Sequence, residues 1–401
     1  MSNPVIKKLS EFGEGFKHHH ENYEAGSISR IRETGGVWEV EGKSFYFPEH
    51  FGFCYGVDKA IDMVFETCAR FEGAPGQPGR RIFLTDQLIH NPYINGKLKE
   101  KGVHYLKRDA QNLLLCDELA PSDVVVVSAF GTDFRDVMRL RDKGVTLVDS
   151  TCGAIINVWK RVEGYAKKGF VTIMHGKRNH EETRATVSQA LKEGGAYITI
   201  ENRAEAADLV EVILGNEKEE DFLRKYPGCA PSGFSFDTST CRMGMANQTT
   251  MLKGESLEIQ EMLRAAYVRR FGEAAMRERF KSFDTICGAT QDRQDALRNL
   301  LTKPLDLLLI VGGFNSSNTS HLAEIAELAR NAGQSVPPFF HIEGERDIHS
   351  AQAIRARDPK DGQARNYENW LPKNLKNIGI TSGASTPDVT LFEVIRKICK
   401  L

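Results

Sequence analysis

The chain has 401 residues, 41% of them apolar, and 53 Lys+Arg against 54 Asp+Glu give a formal net charge of −1. That is enough apolar material for a large core in two or three units, and so even a charge balance offers no field for bulk nucleic acid or a membrane surface. No apolar run reaches the roughly 18–20 residues that span a bilayer.

Residues 1–45 read as an irregular or weakly helical N-terminal extension. They lack the apolar centre of a signal peptide, and Glu11, Glu14, Glu21, Glu24 and Glu33 are unlike an acid-poor transit peptide, so a cytoplasmic location is expected. The triplet His18–His20 reads as a solvated surface run. Short β-rich runs then alternate with helical patterns: "RIFLT" (81–85), "VVVVSAF" (124–130), "VTLVD" (145–149), "FVTIMH" (170–175), "AYITI" (196–200), "RMGMA" (242–246), "LDLLLIVGG" (305–313), "PFFHI" (338–342) and "NIGIT" (377–381). Continuous apolar strands separated by helices imply small parallel sheets covered on both faces. In such folds ligands sit at the carboxyl ends of the strands, where loops run into helix N-termini.

The unusual residues fall at those points. "DSTCGA" at Asp149–Ala154 and "DTICGAT" at Asp284–Thr290 repeat one order of residues, and "GFCYGVDKAI" at Gly52–Ile61 puts a third Cys in a related turn. Each Cys opens a helical pattern. This grammar divides the chain into three similar α/β units: 46–150 with Cys54, 151–284 with Cys152 and an insertion near 215–240, and 285–390 with Cys287, followed by a tail at 391–401. The three Cys turns are expected to meet.

Eight cysteines are too sparse for a disulfide scaffold in a chain of this length. No CxxC pair exists for a zinc ribbon, and the CxxxCxxC and CxxCxxC runs of other iron–sulfur proteins are missing. Cys68, Cys116, Cys229, Cys241 and Cys399 read as small buried hydrophobes, the ordinary fate of a lone Cys. Cys54, Cys152 and Cys287 differ because a helix N-terminus favours the thiolate, the form that binds iron. Three thiolates would hold three irons of a cubane and leave the fourth open as a Lewis acid.

The loops between them are polar. "LIHNPYI" carries His90 and Asn91; "IMHGKRNHEETRAT" carries His175, His180, Glu181 and Glu182. The H-x-E within it is that of zinc deaminases, but their P-C-x-x-C partner is absent. Glu182 is the candidate acid of a proton relay, or else a first-turn Glu that simply favours the helix dipole. "GGFNSSNTSHL" (312–322) lets the backbone approach a ligand at Gly312 and Gly313 and offers Ser316, Ser317 and Asn318 at a helix start, a recipe for phosphate oxygens without being a Walker A loop. In "ITSGASTPDVTLF" Ser385 or Thr386 is expected to cap the helix, with Pro387 at or near its first position. "ANQTTMLKGE" offers Thr249 and Thr250. Together these predict a small anionic ligand beside a cluster.

The motifs "GFCYGVDKAI", "HNPYINGKLKEKGV", "DSTCGAIINVW", "HGKRNHEET", "NQTTM", "DTICGATQDRQDA", "GGFNSSNTSHL" and "SGASTPD", in that order over roughly residues 46–395, resemble the 4-hydroxy-3-methylbut-2-enyl diphosphate reductases of the non-mevalonate isoprenoid route, in their longer plant- and cyanobacterial-type branch. The resemblance implies three α/β units in pseudo-threefold array around a central pocket, with one 4Fe–4S cluster on Cys54, Cys152 and Cys287 and a substrate-accessible iron. It implies a diphosphate held by His90, His180, Ser316, Ser317, Asn318 and Ser385. Thr249 would sit beside the substrate hydroxyl, Glu182 would feed protons through it, and Thr250 would help. The implied reaction removes an allylic hydroxyl with two electrons and two protons, giving isopentenyl and dimethylallyl diphosphates. Electrons would come from a ferredoxin- or flavodoxin-type partner, since no nucleotide motif appears. One position departs from the short-branch pattern: Phe130 in "SAFGT" stands where that branch has a His, and a phenyl ring cannot donate to phosphate. The diphosphate contact that a His would make there is either lost or supplied elsewhere, by Thr132, Lys177 or a water. The rival readings are an aconitase-like hydro-lyase without net redox change and a non-catalytic iron–sulfur sensor.

Overall fold

A computed structural model describes residues 5–8, 26, 31, 35–73, 79–237 and 241–401. The His18–His20 run and the end of the 215–240 insertion lie outside the described residues. Two compact units are formed, one from Met1–Lys8, Gly73–Asp86 and His104–Cys287, the other from Leu9–Glu72, Gln87–Val103 and Gly288–Leu401.

The first unit carries two parallel sheets. One orders its strands as Val5–Ile6, Thr146–Asp149, Val124–Val127, Ile82–Leu84 and His104–Tyr105; the other as Phe280–Ser282, Met243–Asn247, Val171–His175 and Tyr197–Ile200. Val124–Val127 is buried at every position, as a central strand covered on both faces must be. The predicted strand 124–130 therefore stops early. Ser128 opens a turn closed by the Gly131 N–H on its carbonyl at 3.0 Å, which frees Ala129 to accept from the Cys152 N–H. In the described part of the 215–240 segment Glu219–Lys225 is helical, and Phe222, Cys229 and Phe236 pack into the core beside Tyr267 and Phe280.

The second unit has one seven-stranded sheet, ordered Ala364–Glu368, Ala353–Arg357, Phe339–Ile342, Leu307–Val311, Asn377–Ser382, Lys43–Tyr46 and Val37–Val40. Its centre is parallel and both edges are antiparallel. The edge strand Ala364–Glu368 is polar and exposed, which discourages further pairing. Helix Asp388–Cys399 buries Leu391, Val394, Ile395 and Ile398 in this unit's core, so the expected tail belongs to the fold. The described part of the 1–45 extension likewise supplies strands. Contiguous stretches and sheets do not coincide, because Lys43–Tyr46, just before Cys54, pairs in parallel with Asn377–Ser382.

Each of the three sheets thus feeds one cysteine turn: Lys43–Tyr46 leads to Cys54, Thr146–Asp149 to Cys152, and Phe280–Ser282 to Cys287. Among the described residues no helix is long and apolar enough to cross a membrane.

Candidate active site

The repeated D-x-x-C spelling has a local cause. Asp149 Oδ1 accepts the Thr151 N–H at 3.1 Å, and Asp284 Oδ1 accepts the Ile286 N–H at 3.1 Å. Both are Asx turns that reverse the chain as it leaves its strand. Cys152 is then the N-cap of Gly153–Lys167 and makes no side-chain capping bond to it; Cys287 directly precedes Gly288–Leu300. All eight cysteines are thiols rather than disulfides. Cys68, Cys116 and Cys229 are buried as expected, whereas Cys241 and Cys399 are only partly so; desolvation pushes Cys68 and Cys241 up to about 11 and also raises Cys116, Cys229 and Cys399, so those five stay protonated.

In the first unit the structure brings Cys287, Thr249 and Glu182 together. The Cys287 N–H donates to the Thr249 carbonyl at 3.0 Å. The Thr249 N–H donates to Glu182 Oε1 at 2.6 Å and its hydroxyl to Oε2 at 3.0 Å. Glu182 is only 1% exposed. Desolvation raises its carboxyl to about 7, against the opposing pull of the two Thr249 bonds. A carboxyl poised there can hold and release a proton near neutral pH.

His180 caps helix Glu181–Lys192, its Nδ1 accepting the Glu182 N–H at 3.1 Å. That assignment puts the ring proton on Nε2. Phe130 meets the same ring edge-on, with centroids 5.4 Å apart at 84°. The Thr132 hydroxyl donates to Asp136 Oδ2 at 3.0 Å. His175 is fully buried with Nδ1 against Ser256 Oγ at 2.9 Å, a packing role. A cavity of 500 Å³ nearby is lined by Arg108, Arg178 and Arg184, but these pair with Asp136, Glu205 and Asp86.

Gln248 escaped the sequence reading. Its Oε1 accepts from the Lys177 N–H at 3.0 Å and the Thr183 hydroxyl at 3.2 Å, while its Nε2 donates to Thr250 Oγ1 at 2.9 Å. It ties the His180 loop to the Thr249–Thr250 loop. The only signal was its place beside the two threonines.

The second unit gathers Cys54 with the hydroxyl loops. Cys54 caps Tyr55–Phe71, and its N–H donates to the Ala384 carbonyl at 3.2 Å. Gly52, at φ 74°, donates its N–H to Ser382 Oγ at 2.8 Å, and its carbonyl accepts from Arg293 Nη2 at 2.7 Å. Arg293, another residue the sequence reading passed over, is buried at 4% exposure. Ser316 caps Ser317–Asn331. Asn318 Oδ1 accepts the Ala384 N–H at 2.9 Å while its Nδ2 donates to Thr290 Oγ1 at 3.2 Å, leaving one amide hydrogen for a ligand.

Neither Ser385 nor Thr386 caps the last helix. Pro387 occupies the N-cap position, the Ser385 hydroxyl donates to the His90 carbonyl at 3.3 Å, and that of Thr386 to the Val311 carbonyl at 3.0 Å. A Cβ on Gly313 would lie 2.4 Å from the His90 carbonyl oxygen, so only glycine lets these loops approach. His90, Ser316, Ser317, Asn318 and Ser385 are all buried.

The strand ends present thiols, hydroxyls and imidazoles at helix starts, and together with the parallel sheets they define an α/β protein of the doubly covered kind. The chain belongs to the LytB protein family, whose sequence profile matches residues 46–399. It is similar to the 4-hydroxy-3-methylbut-2-enyl diphosphate reductase of Gloeobacter violaceus, 40% identical over 382 residues covering 94% of this chain and 88% of the relative. The enzyme of that name from Picosynechococcus sp. is 38% identical over 400 residues, covering 96% and 93%. A solved (E)-4-hydroxy-3-methyl-but-2-enyl diphosphate reductase aligns with TM-score 0.53 at 23% identity, covering 89% of this chain and 99% of that one. The E-1-hydroxy-2-methyl-but-2-enyl-4-diphosphate reductase of Plasmodium falciparum aligns with TM-score 0.64 at 21% identity, covering 88% and 87%. The two structures share the fold.

Proposed function

We propose that this protein is a 4-hydroxy-3-methylbut-2-enyl diphosphate reductase that makes isopentenyl and dimethylallyl diphosphates by reductive dehydroxylation. The observation that carries the reading is the buried Glu182 carboxyl, raised to about 7 and bonded through both oxygens to Thr249. Membership of the family and the names of its relatives support it.

The donor chemistry fits an iron–sulfur group. Cys54, Cys152 and Cys287 are half-buried thiols at helix starts, where the helix N-terminus favours the thiolate. A 4Fe–4S cluster on those three would supply one-electron transfers and a Lewis-acidic corner. The Glu182 carboxyl holds the proton: as the Thr249 hydroxyl turns from Oε2 and gives its own proton to the departing substrate oxygen, the carboxyl replaces that proton on Thr249 Oγ1. Two electrons and two protons enter, and the allylic hydroxyl leaves as water. His180 Nε2–H, His90, Ser316, Ser317, the second Asn318 amide hydrogen and Ser385 bind the diphosphate, with Thr250 beside Thr249; hydrogen bonds to an anion are stronger than neutral ones. A ferredoxin- or flavodoxin-type protein delivers the electrons, and the reaction takes place in the cytoplasm.

Anaerobic protein given a reduced one-electron donor and the allylic-alcohol diphosphate should oxidise two donor equivalents per molecule of water released. Turnover without donor oxidation would mark a hydro-lyase, and absence of any turnover a sensor; either result ends the proposal.

A further inference from the structure

The hydroxyl loop Gly312–Asn318 has a support that the substrate reading does not use. It leaves strand Leu307–Val311 beside strand Phe339–Ile342, and the Gly312 N–H continues that ladder by donating to the Ile342 carbonyl at 2.9 Å. The Gly312 carbonyl lies past the last strand residue and needs another donor. His341 provides it: its Nε2 lies 3.0 Å from the Gly312 oxygen. His341 is 1% exposed and so is closed off from a diphosphate. We propose that His341 is a positioning residue for anion binding, fixing the Gly312 carbonyl and thereby the whole hydroxyl loop; this rests on the reading that the loop grips a diphosphate.

The geometry transmits as follows. A trans peptide points its carbonyl and the next N–H in opposite directions. Holding the Gly312 carbonyl against His341 therefore turns the Gly313 N–H away from that strand. The Gly313 carbonyl in turn accepts the Ser316 N–H at 2.9 Å, and Ser316 Oγ accepts the Thr319 N–H at 3.3 Å, starting the helix that carries Ser317 and Asn318. Gly312 cannot escape sideways, since a Cβ there would lie 2.5 Å from Thr319 Oγ1 and 2.7 Å from Thr386 Oγ1. Phe314 closes the loop over His341, edge-on at 5.3 Å and 84°, and its N–H is held by Glu343 Oε1 at 3.0 Å.

A leucine could fill the same space, yet the buried ring keeps Nδ1 without a protein partner among the described residues. Burial also lowers its pKa to about 3, so the ring stays a neutral Nε2–H donor throughout the working range. The feature it uniquely supplies is the bond to Gly312.

The experiment measures inorganic pyrophosphate affinity by calorimetry on cluster-loaded protein, together with KM, kcat, melting temperature and iron content. His341→Leu should weaken pyrophosphate binding and raise KM by about tenfold, the effect of losing one well-placed hydrogen bond, with kcat within about twofold of wild type. His341→Gln, whose amide can reach the same carbonyl, should restore most of the affinity. Loss of melting temperature and iron content with unchanged pyrophosphate affinity would overturn the inference, as would failure of Gln to do better than Leu. Ser316→Ala separates the two levels. If it weakens pyrophosphate while His341→Leu does not, the His341 role alone falls; if Ser316→Ala has no effect, the loop is not the anion grip and both fall.

Discussion

At the scale of single residues, Glu182 stores a sign that experiment can read. Its carboxyl titrates near 4.5 in an unfolded chain and about 7 in the fold, so between those values the unfolded chain releases a proton that the folded one keeps. Stability is therefore lost as pH rises through that window, at about 1.4 kcal/mol per pH unit and roughly 3 kcal/mol in all, and the loss is complete above pH 7. Glu182→Gln keeps an acceptor for the Thr249 N–H and cannot ionise. Its melting temperature should lie closest to wild type near pH 4.5, exceed it increasingly up to about pH 7 and level off beyond, while turnover falls by at least ~10²-fold for want of the proton. Wild-type turnover should itself decline as pH passes 7, where the acid form is lost. A variant with full turnover and bound iron would remove Glu182 from the relay.

Among the elements, the decisive packing is between the turn at Gly131 and the helix Cys152 opens. Gly131 sits at φ 80°, and a Cβ on it would lie 2.4 Å from Trp159 Cζ2. Trp159 donates Nε1–H to Thr186 Oγ1 at 3.1 Å, which fastens Gly153–Lys167 to the helix bearing Glu182. The same turn offers the Ala129 carbonyl that receives the Cys152 N–H. Gly131→Ala adds a strained backbone to a clash with a rigid ring, and should cost about 2 kcal/mol or more. Thermal melting and tryptophan emission would both register it, since the indole must move. An unshifted melting temperature would mean that the turn gives way freely and does not brace the helix pair.

For the whole molecule, what was legible in the sequence was whatever short-range order encodes. The D-x-x-C-G-A spelling writes an Asx turn and a helix start within six residues, so Cys152 and Cys287 stood out, and Ser316 announced a cap. Partners brought together by topology left no such trace: Arg293 reaches Gly52 across 241 positions, Gln248 joins two loops, and Lys43–Tyr46 finds its neighbour at Asn377–Ser382. Proline at 387 misled because a cap was expected from the nearest hydroxyls, which bond to distant carbonyls instead. The same distinction governs a test of the proposed ligand set. Cys54, Cys152 and Cys287 each rest on a separate turn, so local folding does not depend on the other two, but a group bound by all three stabilises only the folded chain, by about 2.7 kcal/mol at a hundredfold excess over its dissociation constant. Replacing any one with Ser should bleach anaerobically purified protein and lower its melting temperature to that of chelator-treated wild type, with no further drop on chelation. Cys116→Ala should keep both colour and iron. If one of the three Ser variants retained full iron and the wild-type melting point, that cysteine would leave the ligand set.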